Sequence, residues 1–450
     1  MSPEVLRARH LVEARLGREP QDALEAAVVL EAWAGVPAQQ ALETARAMMP
    51  TRRGVPLVSR AKPAPVVRPP RQLAEGLAFV VTIAAIALWA APLVSALGVQ
   101  VVRDALVLAL PSALAVQWAL ASRHLARPSG LAGLAPRRGA LLATAALLVL
   151  GAGTAFGRTG ALAGLLVVTW TAGTLLIRRG WGLVYCGLVT AAVAAMLLGL
   201  PAPSVVAVIA TATAALAWAG LITIAPAQAV PGRWTRTCGA ALTGAGVGVL
   251  LVADPTVSWT SGFAAALALV PSALGALWAS RHLWKLAGAF PRALAGVPAC
   301  APRPARRALA GAAPRRDTRH SAALRAPARA LAEAVCRLVG LTAVASATLL
   351  ALTTWSGTAP TSVGVLAGYG VIALATLLAG VIDSLGRPAL AAAGIAAGVA
   401  AALPARAIEP PFAGAGLLFA GAVAVSVLLP AAVLLLARPA RTLATTVWIT

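Results

Sequence analysis

From residue 75 to residue 437 the chain is a succession of apolar runs with short connections between them and almost no charge inside them. A helix of about 20 predominantly apolar residues is what crosses the roughly 30 Å hydrocarbon core of a bilayer. Twelve segments meet or approach that length: 75–98, 101–121, 139–155, 159–177, 181–199, 203–225, 237–253, 260–280, 336–355, 361–382, 388–405 and 412–437. Composition agrees, with 60% of residues apolar, 11% charged and a mean hydropathy of +0.84. Soluble domains carry about 25% charged residues, so a soluble enzyme and a disordered chain are both excluded. The expected fold is an all-α membrane protein.

The net charge of +23 would suit nucleic acid if it formed one face. It does not, because the basic residues stand in short clusters between apolar runs, where they report topology. With the N-terminus cytoplasmic, the tails and the even-numbered connections hold 34 of the 37 Arg and Lys, leaving Arg103, Arg158 and Arg406 on the other side. Adding or losing one span would scramble that partition. The expectation is therefore twelve spans with both termini cytoplasmic, in the plasma membrane of a bacterium given the Ala- and Arg-rich usage, and no nucleic-acid partner.

Residues 1–50 read as a cytoplasmic helical head. Ser2 and Pro3 open a first helix, and two more follow from Pro20 to Trp33 and from Pro37 to Met49. Three helices of this size are too small to bury a sizeable core alone. The first 30 residues lack an apolar core, so no cleaved signal peptide is expected. Residues 51–74 form a proline-rich basic linker, and 438–450 a cytoplasmic tail. Cys186, Cys238, Cys300 and Cys336 lie far apart without metal-site spacing, and no metal or cofactor is expected.

The membrane region contains an internal echo. Pro111-Ser-Ala-Leu114 and Trp118 recur as Pro271-Ser-Ala-Leu274 and Trp278, and each run then ends in Ser-Arg-His-Leu, at Ser122 to Leu125 and Ser280 to Leu283. These are the second and eighth segments, each followed by the longest basic connection of its half. Duplication follows, with lobes at 75–225 and 237–437 joined by a linker at 226–236. Six spans per lobe give both the same orientation, hence an axis along the membrane normal.

Chemistry-bearing residues are few. Apart from Arg103 and Asp104 near one mouth, no ionisable residue lies well inside a span, which lowers the case for proton relays and removes the paired carboxylates of a membrane hydrolase or glycosyltransferase. No catalytic residue is expected. Asp383 is read as neutralising Arg387. Hydroxyls cluster in the fourth segment (Thr169, Thr171, Thr174, beside Trp170), the sixth (Thr211, Thr213) and the ninth (Thr342, Ser346, Thr348). Their ordinary role is bonding to the carbonyl one turn back; their functional role would be lining a hydrated cavity for sugars. Gly239, Gly244, Gly246 and Gly248 let the seventh segment pack closely or bend. The connection from Arg281 to Arg337 holds twelve basic residues and is read as an anchor to anionic lipid headgroups that would also concentrate a phosphate-bearing substrate.

Ala121-Ser-Arg-His-Leu-Ala-Arg127, before Arg137-Arg138, resembles the cytoplasmic S-R-x-x-A-R stretch of the multidrug/oligolipid/polysaccharide flippase superfamily, particularly its polysaccharide-exporter branch. The run from Val365 through Ile382-Asp-Ser-Leu-Gly-Arg-Pro388, with Ile408-Glu-Pro-Pro-Phe412 and Gly414-Ala-Gly416 beyond, resembles that family's tenth to twelfth helices. The resemblance implies two six-helix lobes around a cavity opening alternately to each side, and a lipid-linked oligosaccharide substrate. Substrate contacts are then expected from Arg123, His124, Arg281 and His282 as a cationic collar, with Trp118, Trp278, Thr169 and Thr171 inside. A major-facilitator-type or multidrug exporter, and a non-transporting scaffold whose N-terminal head recruits a cytoplasmic protein, stand as alternatives.

Overall fold

The computed structural model describes residues 3–16, 20, 23–48, 88–121, 138–222, 234–254, 263–295, 318–356, 362–405 and 412–436. Every regular element among them is a helix: α1 Pro3–Leu16, α2 Ala23–Ala34, α3 Ala38–Met48, α4 Leu88–Leu97, α5 Val99–Ala121, α6 Arg138–Arg179, α7 Gly182–Leu197, α8 Ala202–Ile222, α9 Trp234–Leu251, α10 Phe263–Ala295, α11 Thr318–Trp355, α12 Val363–Ser384, α13 Pro388–Ala405 and α14 Ala415–Leu436. The linker 51–74, the first copy of Ser-Arg-His-Leu, most of the 226–236 linker and the tail from 437 lie outside the described residues.

Two compact units emerge, one comprising residues 1–66, 281–333 and 432–450, the other 67–280 and 334–431. In the first, α1 to α3 pack on one another around Val12, Ala26, Val29, Leu30, Ala41, Ala45 and Met48. The three expected helices thus form, and they share an apolar centre of their own. Arg9 pairs with Glu13 one turn on, at 2.8 Å, and the Arg15 guanidinium lies 4.3 Å from the centre of the Trp33 ring.

The second unit is built on apolar helices. Among the described residues, six stretches are long and apolar enough to cross a membrane: Val99–Leu120, Gly151–Ile177, Ala202–Gly220, Ala328–Trp355, Val363–Ser384 and Ala415–Leu436. Leu88–Leu97, Gly182–Leu197, Thr237–Leu251 and Pro388–Pro404 are apolar but shorter. At about 1.5 Å per residue, the 16 residues of α7 reach roughly 24 Å, short of a full hydrocarbon core. Helices occupy all twelve expected segments, the first from Leu88 on, and the structure supports a multi-pass helical membrane protein.

One of these stretches folds back on itself. Gly157 has φ 58 and ψ −138, the first central position of a type II′ turn and open chiefly to glycine. A Cβ at Gly153 would meet that of Ala161 at 3.5 Å, and one at Gly164 would meet Val149 Cα at 2.9 Å. Residues 15 apart on a straight helix are separated by over 20 Å. The apparent 42-residue helix is therefore an antiparallel hairpin, dividing where the third and fourth segments were separated.

Around it, Trp89, Leu93, Val102, Leu166, Trp170, Leu176, Tyr185 and Val206 make one apolar core from α4 to α8. Glycines set the tight reversals. At Gly180 the Trp181 N–H bonds Leu176 O, and at Gly386 the Arg387 N–H bonds Ile382 O, in each case with φ near +80°. This six-to-one closure ends a helix in a left-handed glycine, and Pro388 then opens α13 without losing a hydrogen bond.

α9 lies between α5 and α13. Gly244 and Gly248, one turn apart, meet Leu114, Trp118 and Pro111 of α5; Gly239 and Gly246 meet Pro388 and Ile395 of α13. Two glycine faces let one helix approach two neighbours at backbone distance. Packing of this kind replaces the hydrophobic driving force that lipid removes.

The 281–337 connection proves partly helical. α10 runs on to Ala295 and α11 starts at Thr318, leaving 296–317 outside the described residues. Alanine and arginine favour helix continuation, and apolar periodicity marks where the membrane ends, not where the helix does.

Candidate functional site

Of the expected collar, Arg123 and His124 lie outside the described residues. Arg281 is half-buried on α10. Beside it His282 Nε2 stands 2.9 Å from Glu333 Oε2 of α11. Trp118 is half-buried, its Cβ against Gly244 of α9. Trp278 is 46% exposed, with the Arg337 guanidinium 5.3 Å from the centre of its ring.

The hydroxyls mostly take their ordinary role. Thr169 is fully buried and donates to Leu165 O at 2.8 Å. Thr174 donates to Trp170 O at 2.9 Å, Thr213 to Ile209 O at 2.8 Å and Thr348 to Val344 O at 2.9 Å. A threonine satisfied by its own helix has little left to offer a sugar. Thr171 and Thr342 differ: among the described residues their buried Oγ1 atoms have no hydrogen-bond partner, and neither has the buried indole nitrogen of Trp170. Gln117 Nε2 donates to Trp170 O at 3.4 Å, linking α5 to the polar turn of α6.

A polar junction that sequence reading missed lies where α9 ends and α12 and α14 begin. After Leu251 the chain tightens, with Val252 N bonding Val249 O and Ala253 N bonding Leu250 O, each at 3.2 Å. Asp254 follows and is only 4% exposed. Its Oδ2 lies over the first turn of α14, so close to Gly416 that a Cβ there would stand 3.2 Å away. Tyr369 of α12, fully buried, donates its hydroxyl to Leu251 O at 3.5 Å.

The surrounding backbone is pinned. Ser362 Oγ accepts from Val365 N at 3.2 Å, capping α12, and donates to Ala413 O at 3.1 Å. Gly414, at φ +89, sits against the backbone of Gly364 and Val365, where a Cβ would come within 2.6 Å of Gly364 C. The partial positive charge at the start of α14 favours a carboxylate at this spot. A carboxylate, a carbonyl at a helix C-terminus and a phenol so assembled offer oxygen ligands and a proton acceptor. The only advance signal was position: Asp254 stands one residue past an apolar run, next to Pro255, where a loop reading is natural.

Comparison with protein-family models and with curated proteins finds no match to this chain.

Proposed function

We propose that the chain is a membrane transporter that works by alternating access and exports lipid-linked oligosaccharide or polysaccharide precursors, with Asp254 as the residue through which transport is driven. The observation that carries this reading is the burial of Asp254 against Gly416, in a region with so few ionisable groups. Charged groups buried in membrane proteins mark ion and proton pathways, because embedding them costs free energy that packing alone would avoid. The end of α9 and the first turn of α14 meet at Asp254, so a cation bound at its carboxylate alters contacts of both helices.

Other features support the reading. The Gly180 and Gly386 turns end corresponding helices of the two proposed lobes with the same hydrogen-bond closure. Pro111 and Pro271 both lie within helices, α5 and α10, as the repeat requires. The glycine faces of α9 bring the lobes together over backbone and allow sliding with little side-chain interlocking. A scaffold role is the second reading, favoured by that same α5–α9 seam, which is closed along Gly244 and Gly248.

The test is uptake of a fluorescent lipid-linked oligosaccharide by proteoliposomes under an imposed proton or sodium gradient. Asp254→Asn keeps the size and hydrogen-bonding capacity of the side chain but removes its charge. Loss of gradient dependence in a correctly inserted D254N variant supports the proposal. Gradient-driven uptake equal to the parent chain refutes the assignment of Asp254, and a fully inactive parent chain favours the scaffold.

A further inference from the structure

We propose that Arg337, held against Trp278, is a docking point for the phosphate of an anionic glycerophospholipid in the cytoplasmic leaflet. The inference is independent of transport and rests on four observations within the second unit.

The first is the pair itself. The guanidinium lies 5.3 Å from the centre of the Trp278 indole, and the indole is 46% exposed. Stacking on a ring face holds the guanidinium plane without consuming its N–H donors, which then project from its edge.

The second is charge. Among the described residues no carboxylate forms an ion pair with Arg337. The positive charge is left with an aromatic face, which orients a cation but does not neutralise it.

The third is depth. Arg337 falls inside the apolar stretch Ala328–Trp355, whose most apolar 18-residue window is only 11% buried within the protein. Its far end is Trp355, 87% exposed. The 18-residue step from Arg337 to Trp355 corresponds to about 27 Å of helix, close to one hydrocarbon thickness. Exposed tryptophans at that spacing place Trp355 at one interface and the Trp278–Arg337 pair at the other. The excess of basic residues identifies this second interface as cytoplasmic, where anionic headgroups gather.

The fourth is rigidity. One turn from Trp278 on α10, Gly275 packs against α11 so closely that a Cβ would lie 2.9 Å from the Leu338 side chain and 3.0 Å from Leu338 O. Leu338 is 1% exposed. This crossing sets the distance between α10 and α11 beside the pair, so the guanidinium is presented at a fixed place.

The two basic helical stems supply general attraction to anionic membrane. The Trp278–Arg337 pair adds a single oriented fork, which binds a phosphate monoanion bidentately. Zwitterionic lipid is a poorer ligand because its own ammonium competes for the phosphate.

The experiment is native mass spectrometry of the full chain in neutral detergent, titrated with phosphatidylglycerol, phosphatidylcholine or soluble glycerol phosphate, reading the dissociation constant of the tightest adduct. The parent chain is expected to bind phosphatidylglycerol tighter than phosphatidylcholine by about tenfold or more. Arg337→Gln should weaken the phosphatidylglycerol adduct about 10- to 150-fold. Arg337→Lys keeps charge but loses the stacked fork, and should weaken it about two- to fivefold. Should R337Q fail to fold, R337K and Trp278→Leu carry the test, each expected to bind more weakly than the parent. Unchanged affinity in the folded variants overturns the proposal, and so does equal affinity for glycerol phosphate, which would identify a free-phosphate site instead.

Discussion

Replacing Gly248 by alanine should separate a real α5–α9 seam from loose apposition of two apolar helices. A Cβ at Gly248 would stand 2.5 Å from Pro111 Cα, 2.6 Å from Pro111 N and 2.9 Å from Leu110 C. All three are backbone atoms, so no rotamer change relieves the contact. Ordinary van der Waals contact begins near 3.4 Å, so α5 must move away by about 0.9 Å or distort at Pro111. Overpacking of this kind costs about 1 to 3 kcal/mol. Against it works the higher helix propensity of alanine, about 1 kcal/mol. Gly340 of α11 supplies the reference, because a Cβ there meets nothing within 4 Å and Gly340→Ala gains the propensity alone. Comparing the two variants cancels that gain and leaves the collision. In mixed micelles unfolded by increasing sodium dodecyl sulfate, G248A should be less stable than G340A by about 1 to 3 kcal/mol. Equal stability, within about 0.5 kcal/mol, would show that α5 and α9 do not approach at backbone distance, and the reasoning about the seam would fail with it.

Gly157→Ala forces a Cβ onto φ 58, ψ −138 and should cost about 1 to 3 kcal/mol in the same unfolding assay, whereas Gly151→Ala, with open space around it, should cost nothing; equal effects would mean that α6 is a continuous helix. A cysteine at Gly311, in a chain otherwise free of cysteine, should resist an impermeant thiol reagent added to intact cells, as the partition of basic residues predicts for a cytoplasmic connection; labelling from outside would reverse the topology.

Much of this architecture was legible because a bilayer leaves a chain few options. Apolar length located α5, α12 and α13 to within two or three residues, and the four glycines of the seventh segment left it free to pack closely or to bend, of which α9 does the first. The third and fourth segments, 139–155 and 159–177, were separated by length alone, and the hairpin turn at Gly157 is the physical cause of the break. What escaped was set by partners remote in sequence. Asp254 is buried because α14, some 160 residues later, lays its first turn over the carboxylate, and no local pattern encodes that. The extension of α10 and α11 past the apolar runs was hidden because hydropathy reports solvent and not helicity. Thr169 looked like a cavity hydroxyl for the opposite reason: its bond to Leu165 O is local, but which face of α6 turns inward depends on α5, α7 and α8. The Glu333–His282 bond likewise has no signature in spacing alone.

The claim on which the functional account stands is that this chain moves a phosphate-bearing, lipid-linked glycan across a bilayer. Its most direct test is the rate at which a fluorescent lipid-linked oligosaccharide, loaded in one leaflet of proteoliposomes, becomes accessible to an impermeant quencher in the other. The account predicts translocation well above that of empty liposomes, slowed about 10- to 150-fold by Arg123→Ala and Arg281→Ala together if the phosphate contacts expected of these residues are made. A parent chain that moves the lipid no faster than protein-free liposomes would contradict it.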